Sequence, residues 1–130
     1  MKTFGLIIAL VALITAAVSV SWFGKRQHRS RIECIRRGGE LERRVKSIEQ
    51  DAHERLLIGT KKDDVARFFA DHSIPFQIVE SEATGTIYTS GCAPVGCGTD
   101  AALISVRVKL DSSGAVAEEA QVLSLYTDCL

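Results

Sequence analysis

An uncharged apolar segment at the N-terminus constrains this chain more than any other feature of its sequence. From Phe4 to Phe23 every residue is apolar or small. A helix of about 20 such residues, rising about 1.5 Å per residue, is long enough to cross the hydrocarbon core of a bilayer. The pattern therefore predicts that residues 1–23 form a transmembrane helix, with the lipid bilayer as partner and a single-pass membrane location.

A cleaved signal peptide is the alternative interpretation of this segment. Lys2 gives a short charged start, and Ala17 with Ser19 has the spacing of the small residues at a cleavage site. The apolar run continues past that site through Trp22 and Phe23, which favours an uncleaved anchor whose end lies at the membrane interface.

Basic residues are concentrated just after the apolar segment. The chain has 16 basic and 16 acidic residues, so its net charge gives no reason to expect a nucleic-acid partner. Residues 24–39 are basic and contain Gly38 and Gly39, which predicts a juxtamembrane linker or a frayed helix. The membrane-proximal basic residues, which could contact anionic lipid head groups, are Lys25, Arg26, Arg29 and Arg31.

The basic cluster and the cysteines give opposite predictions for the side of the membrane. Lys and Arg near a membrane segment tend to stay in the cytoplasm, which would place the rest of the chain inside. Four cysteines in a small domain are typical of an oxidising compartment. We expect an extracytoplasmic domain, periplasmic or extracellular, with the orientation left open.

Residues 40–130 predict an α+β domain. An apolar residue recurs every three or four positions from residue 40 to 57, which indicates an amphipathic helix. A second helix follows, with Thr60 as its N-cap and Asp63 as the capping-box acid, and Pro75 stops it. The first helix could pack on its own domain or pair with a second copy through Leu41, Val45 and Ile48.

After Pro75 the apolar period changes from about 3.6 to 2, which indicates strands. Residues 76–80, 86–89, 101–110 and 116–127 are the strand candidates, with turn residues at 111–114. The predicted fold is an N-terminal transmembrane helix, then two helices packed on one face of a four-stranded antiparallel sheet, in the order α-α-β-β-β-β.

Two stretches resemble the SmpA/OmlA and β-lactamase-inhibitor-protein-like domains. Residues 57–65, Leu-Ile-Gly-Thr-Lys-Lys-Asp-Asp-Val, are similar to their helix-start motif, and residues 104–116 are similar to their unit of strand, Asp-x-x-Gly turn and strand. With Tyr126 and Thr127, the resemblance covers about residues 56–127. It implies an extracytoplasmic, membrane-associated interaction module rather than an enzyme.

The cysteines are the remaining candidates for chemistry. Cys92 and Cys97 lie in a loop rich in glycine that could bring them together, and Cys34 and Cys129 flank the domain and could close it. Four cysteines allow three pairings, and all three stay open. A thiol-redox or metal-binding protein centred on Cys92 and Cys97 is the alternative function, although the loop has no Lys, Arg or His to activate a thiolate.

No catalytic motif is present, so we predict no enzyme, no metal and no cofactor. The leading hypothesis is a membrane-tethered, non-catalytic interaction module that binds another membrane or envelope protein. Its candidate surface is the second face of the sheet, represented by Leu123 and Leu125.

Overall fold

The computed structural model describes residues 30–129, and the chain divides into two compact units, Met1–Ile35 and Arg36–Leu130. In the first unit the described residues, 30–35, are helical, and Ile32 and Ile35 are exposed. All other elements described below belong to the second unit.

The transmembrane helix of the predicted fold requires a correction. Among residues 30–129, no helix combines the length and the apolar composition needed to cross a membrane. Residues 4–23, on which the prediction was based, lie outside the described part of the chain, as do Lys25, Arg26 and Arg29. The observed fold class is therefore α+β, and the predicted membrane location stays a prediction from the sequence.

In the second unit, helix α1 comprises residues 36–55. Residues 36–39, expected to be part of a linker or a frayed helix, are helical, and the helix passes through both Gly38 and Gly39. A Cβ on Gly38 would lie 3.1 Å from Cβ of Cys92, so the absence of a side chain permits a close approach. Arg37 also has a structural role, with its Nη2 2.8 Å from Oδ2 of Asp100.

The apolar stripe of α1 packs inside its own domain. Leu41, Ile48, Ala52 and Leu56 are buried, at spacings of seven and four residues that keep side chains on one helical face. Val45 is partly buried against the same core.

Helix α2, Lys62–Asp71, contributes the most completely buried side chains of the helical layer. Phe68 and Phe69 are in edge-to-face contact at 5.7 Å between ring centroids, and both are fully buried with Val65. The predicted second helix is confirmed, but its N-cap is corrected. Lys61 is the N-cap residue and makes no side-chain cap hydrogen bond, whereas Thr60 donates its hydroxyl to the Arg55 carbonyl at 3.3 Å.

Four antiparallel strands form one sheet, as predicted, and their order in the sheet is β1-β2-β3-β4. Sequential neighbours pair throughout, so the sheet is a meander. The strands are β1 Phe76–Val79, β2 Glu82–Ser90, β3 Ala101–Lys109 and β4 Gln121–Tyr126. The predicted last strand was too long at its start, because residue 116 makes only an isolated bridge to Leu110 and regular pairing resumes at residue 121.

The alternation predicted for β3 is confirmed. Ala102, Ile104, Val106 and Val108 are almost completely buried and join the side chains of α1 and α2 in one hydrophobic core. Ser105 and Arg107 lie on the other face, which no described helix covers. The helices therefore occupy one face of the sheet and leave the second face open.

The turn after β3 is held by Asp111. One oxygen of its carboxylate accepts hydrogen bonds from the Ser113 amide at 2.8 Å, the Ser113 hydroxyl at 2.7 Å and the Ala115 amide at 3.0 Å. The predicted turn at residues 111–114 is confirmed, with Gly114 supplying the positive φ of 80° that a non-glycine residue rarely adopts.

Candidate functional site

The observed cysteine pairing is not the local disulfide between Cys92 and Cys97 that the glycine-rich loop would permit. Cys97 is joined to Cys129, with 4.5 Å between their Cα atoms. The amide of Gly98 donates to the carbonyl of Asp128 at 3.2 Å, which lays this part of the loop beside the end of the chain and explains the choice of partner. Cys92 is also disulfide-bonded, and the described residues contain no free thiol.

This pairing bears on the alternative function centred on Cys92 and Cys97. The two cysteines belong to different disulfides and therefore do not form a dithiol pair of their own. Between residues 30 and 129, no three His, Cys, Asp or Glu side chains are grouped so that they could hold a metal ion.

A cluster of charged side chains joins α1 to α2. Arg55 contacts Asp51 on its own helix at 3.1 Å and Asp71 on α2 at 2.7 Å, and His72 contacts Asp51 at 2.8 Å. The hydrogen bond from Arg55 to Asp71 raises the pKa of Arg55. His72 is the C-cap residue of α2, so the cluster fixes the end of α2 against α1.

A groove of about 660 Å³ lies between the end of α1 and the segment before β4. Its apolar lining includes Leu56, Leu57 and Ala120, and Nδ1 of His53 lies 3.2 Å from Glu119 at this site. No sequence pattern considered above predicted this groove. Its signal was the run of three apolar residues, 56–58, of which the helical stripe can bury only the first.

The open face of the sheet carries a row of apolar side chains across three strands. Tyr88 of β2 is paired with Leu103 of β3, which is paired in turn with Leu125 of β4. Tyr88 and Leu125 are 78% and 57% exposed, and Leu103 is half-buried. Leu123, 54% exposed, lies on the same face one register step away. We call these four residues the apolar row.

The predicted interaction residues fall into two groups in the structure. Leu123 and Leu125 are exposed on the second sheet face, where the sequence analysis placed them. Leu41 and Ile48 are 8% and 2% exposed and belong to the core, and Val45 packs against it. Of the two alternatives for α1, these side chains follow packing on their own domain, and pairing with a second copy stays a prediction.

Tyr88 and Leu103 were not recognised as part of this surface. Tyr88 lies at the end of a strand whose length the sequence analysis underestimated, and Leu103 shares the β3 face of Ser105 and Arg107. The signal for Leu103 was an apolar residue on the otherwise polar face of an alternating strand.

Comparisons with known proteins leave the family open. No protein-family model matches the chain, and no curated protein or solved structure matches it. The resemblance to SmpA/OmlA and β-lactamase-inhibitor-protein-like domains stays a prediction that rests on residues 57–65 and 104–116.

Proposed function

We propose that this protein is a non-catalytic interaction module that works in an oxidising, extracytoplasmic compartment and binds another membrane or envelope protein through the open face of its sheet. The observation that carries the proposal is the register Tyr88–Leu103–Leu125, which aligns three apolar side chains across neighbouring strands. A surface of this kind is typical of the centre of a protein interface.

The energetic argument concerns the exposure of these side chains. Full burial of a leucine side chain stabilises a protein by roughly 1.5–3 kcal/mol. A leucine that stays half exposed therefore lacks about 1 kcal/mol of this stabilisation. Leu123 and Leu125 are each more than half exposed, and Tyr88 offers a larger apolar area with a hydroxyl at its tip. A partner that covers the apolar row recovers this free energy, whereas the isolated domain does not.

The compartment is inferred from the cysteines. All four are disulfide-bonded, and structural disulfides persist mainly in extracytoplasmic proteins. The family resemblance implies the same kind of compartment and role. These two arguments are independent, because Cys92 and Cys97 lie outside the two stretches, 57–65 and 104–116, that carry the resemblance.

Site-specific photocrosslinking in intact cells tests the proposed surface. A benzophenone amino acid replaces Leu125 in one variant, Tyr88 in a second, and the exposed Glu54 of α1 in a control. We expect one discrete adduct that positions 125 and 88 share and that position 54 lacks. Adducts of equal yield at all three positions, or none at 125 and 88, would refute the open face as the interface.

Thiol labelling in the same cells tests the compartment. With a membrane-permeant maleimide added before lysis, we expect no labelling of the wild-type chain until a reductant is added, since all four cysteines are paired. Full labelling without reductant would show reduced thiols and would contradict an oxidising location.

A further inference from the structure

The apolar row ends at strand β4, which forms one edge of the sheet. The six residues of β4, Gln-Val-Leu-Ser-Leu-Tyr, contain no charge and no proline. Natural proteins usually protect an edge strand with Lys, Pro, a bulge or short length, because its free backbone groups can pair with another chain. The opposite edge, β1, is only four residues long, so β4 is the less protected of the two.

The direction of the β4 backbone groups follows from one hydrogen bond. The amide of Thr127 donates to the carbonyl of Ala101 at 3.0 Å, so Thr127 faces β3. Backbone groups alternate along an antiparallel pair, which turns those of Leu125 and Leu123 toward β3 and those of Val122 and Ser124 toward the edge. Within residues 30–129, no hydrogen bond joins the backbone of Val122 or Ser124 to a segment beyond the sheet.

We propose that β4 accepts an added strand from the partner protein, and that this strand is an extended apolar segment flanked by Lys or Arg. The inference rests on the proposed function, because it specifies how the partner meets the open face. Strand addition uses the backbone groups of Val122 and Ser124 for affinity. The alternate side chains of the added strand extend the apolar row beyond Leu125 and Leu123.

The Lys or Arg residues proposed at the ends of the added strand are inferred from the acidic residues at the ends of β4. Glu118 and Glu119 precede the strand and Asp128 follows it. Lys109 lies 2.9 Å from Glu118, whereas Glu119 and Asp128 have no Lys or Arg partner among the described residues. Both ends of the edge therefore keep an acidic residue, which favours a partner strand with basic residues at its ends.

The same charges argue against a second copy of this chain as the added strand. Two copies of β4 related by a two-fold axis would run antiparallel, and each would bring its Glu118–Glu119 end beside Asp128 of the other. Like charges opposite each other on neighbouring strands are destabilising. A different polypeptide avoids this repulsion.

The test uses the full 130-residue chain with its disulfides intact. A displayed library of random twelve-residue peptides is selected against the wild-type chain and, in parallel, against Ser124→Pro. Proline removes the outward amide at 124 and keeps the pairing of Leu123 and Leu125 with β3, as edge strands tolerate. We expect the wild type to enrich alternating apolar peptides with terminal Lys or Arg, and expect at least tenfold weaker binding to Ser124→Pro, with Ser124→Thr unchanged.

Two further measurements distinguish loss of strand pairing from unfolding of the Ser124→Pro variant. The selected peptide is synthesised with N-methyl groups on alternate amides, which removes its edge hydrogen bonds and leaves the protein unaltered. We expect this peptide to lose at least tenfold in affinity. In hydrogen exchange, we expect the unmethylated peptide to slow exchange of the Val122 and Ser124 amides at least tenfold.

Each remaining outcome overturns a stated part of the inference. Equal binding to wild type and Ser124→Pro, or no selected peptide, rejects strand addition. If positions 125 and 88 still share a photocrosslinked adduct, the proposed function holds, and the partner contacts the face of the sheet instead of its edge. Selected peptides with acidic ends reject the charge argument. A wild-type dimer that Ser124→Pro abolishes would make a second copy the occupant.

Discussion

The phenolic oxygen of Tyr126 holds both backbone groups of Cys92. It accepts a hydrogen bond from the Cys92 amide at 3.1 Å and donates one to the Cys92 carbonyl at 2.9 Å. Tyr126 ends β4, whereas Cys92 lies in the loop that connects β2 to β3. One side chain therefore fixes this loop to the edge strand on which the proposed interaction depends.

We expect Tyr126→Phe to lower the free energy of unfolding by about 1–3 kcal/mol, because the backbone groups of Cys92 lose their partner in a partly buried site. Urea denaturation at pH 7 measures the change. Tyr88→Phe is the matched control, since Tyr88 is 78% exposed and its loss of a hydroxyl should change stability by less than about 0.5 kcal/mol. Equal effects of the two substitutions would show that the Tyr126 hydroxyl does not stabilise the loop.

The Cys97–Cys129 disulfide fixes the other end of the same loop. It joins residues 32 positions apart in the sequence, and a closed loop of this size corresponds to roughly 3–4 kcal/mol in the chain-entropy account. We expect the double variant Cys97→Ser, Cys129→Ser to unfold at a lower urea concentration by a corresponding amount. The partner adduct at position 125 should persist at low temperature, and its loss while the domain is still folded would assign the disulfide a direct part in binding.

Two glycines give opposite predictions for the same substitution. A Cβ on Gly85 would lie 2.6 Å from both Ile74 and Phe69, so Gly85→Ala forces the core apart and should cost about 1–3 kcal/mol. A Cβ on Gly39 meets nothing within 4 Å and lies inside α1, so Gly39→Ala should stabilise by about 0.5–1 kcal/mol. Thermal unfolding of both variants beside the wild type checks the sign. A destabilised Gly39→Ala would show that residue 39 is not helical in solution.

Sequence patterns predicted those elements whose structure depends on neighbours along the chain. The alternation of β3 identified its buried face, and Asp111 with Gly114 identified the turn, because both features are local. The structural role of Gly38 could not be predicted, because the Cys92 side chain that approaches it comes from a loop distant in the sequence. Two adjacent glycines ordinarily indicate a break.

The cysteine pairing and the apolar row required the tertiary structure. Cys97 is nearer in sequence to Cys92 than to Cys129, but the contacts of Gly98 and Thr99 with Asp128 place it beside Cys129. Exposure of Leu123 and Leu125 could be anticipated from their alternation in β4. Their alignment with Tyr88 depends on the register of three strands, which no local pattern specifies.

The exposed leucines of the open face should contribute to partner binding but little to the free energy of unfolding of the domain. We expect Leu123→Ser with Leu125→Ser to change the free energy of unfolding by less than about 1 kcal/mol, because both side chains are already more than half in water. Val106→Ala, on the buried face of the neighbouring strand, should cost about 1–3 kcal/mol. The photocrosslink from position 88 should disappear in the serine variant and persist in Val106→Ala at a temperature where that variant is folded. The reverse pattern would place the interface elsewhere.

The turn at Asp111 predicts a defined pH dependence. The hydrogen bond from the Ser113 hydroxyl, followed by that from the Ala115 amide, lowers the pKa of the Asp111 carboxyl from its ordinary value of 3.8. A carboxyl whose pKa is lower in the folded chain stabilises the fold above its unfolded pKa, and this contribution disappears as the pH falls through the folded pKa. We therefore expect the wild type to be more stable than Asp111→Asn at pH 7, with the difference shrinking below about pH 4. Denaturation of both proteins from pH 7 to pH 2.5 measures it, and Asp128→Asn, whose carboxyl is in no turn of this kind, is the control for general charge effects. A difference that stays constant over this range would show that Asp111 acts through its shape and not through its charge.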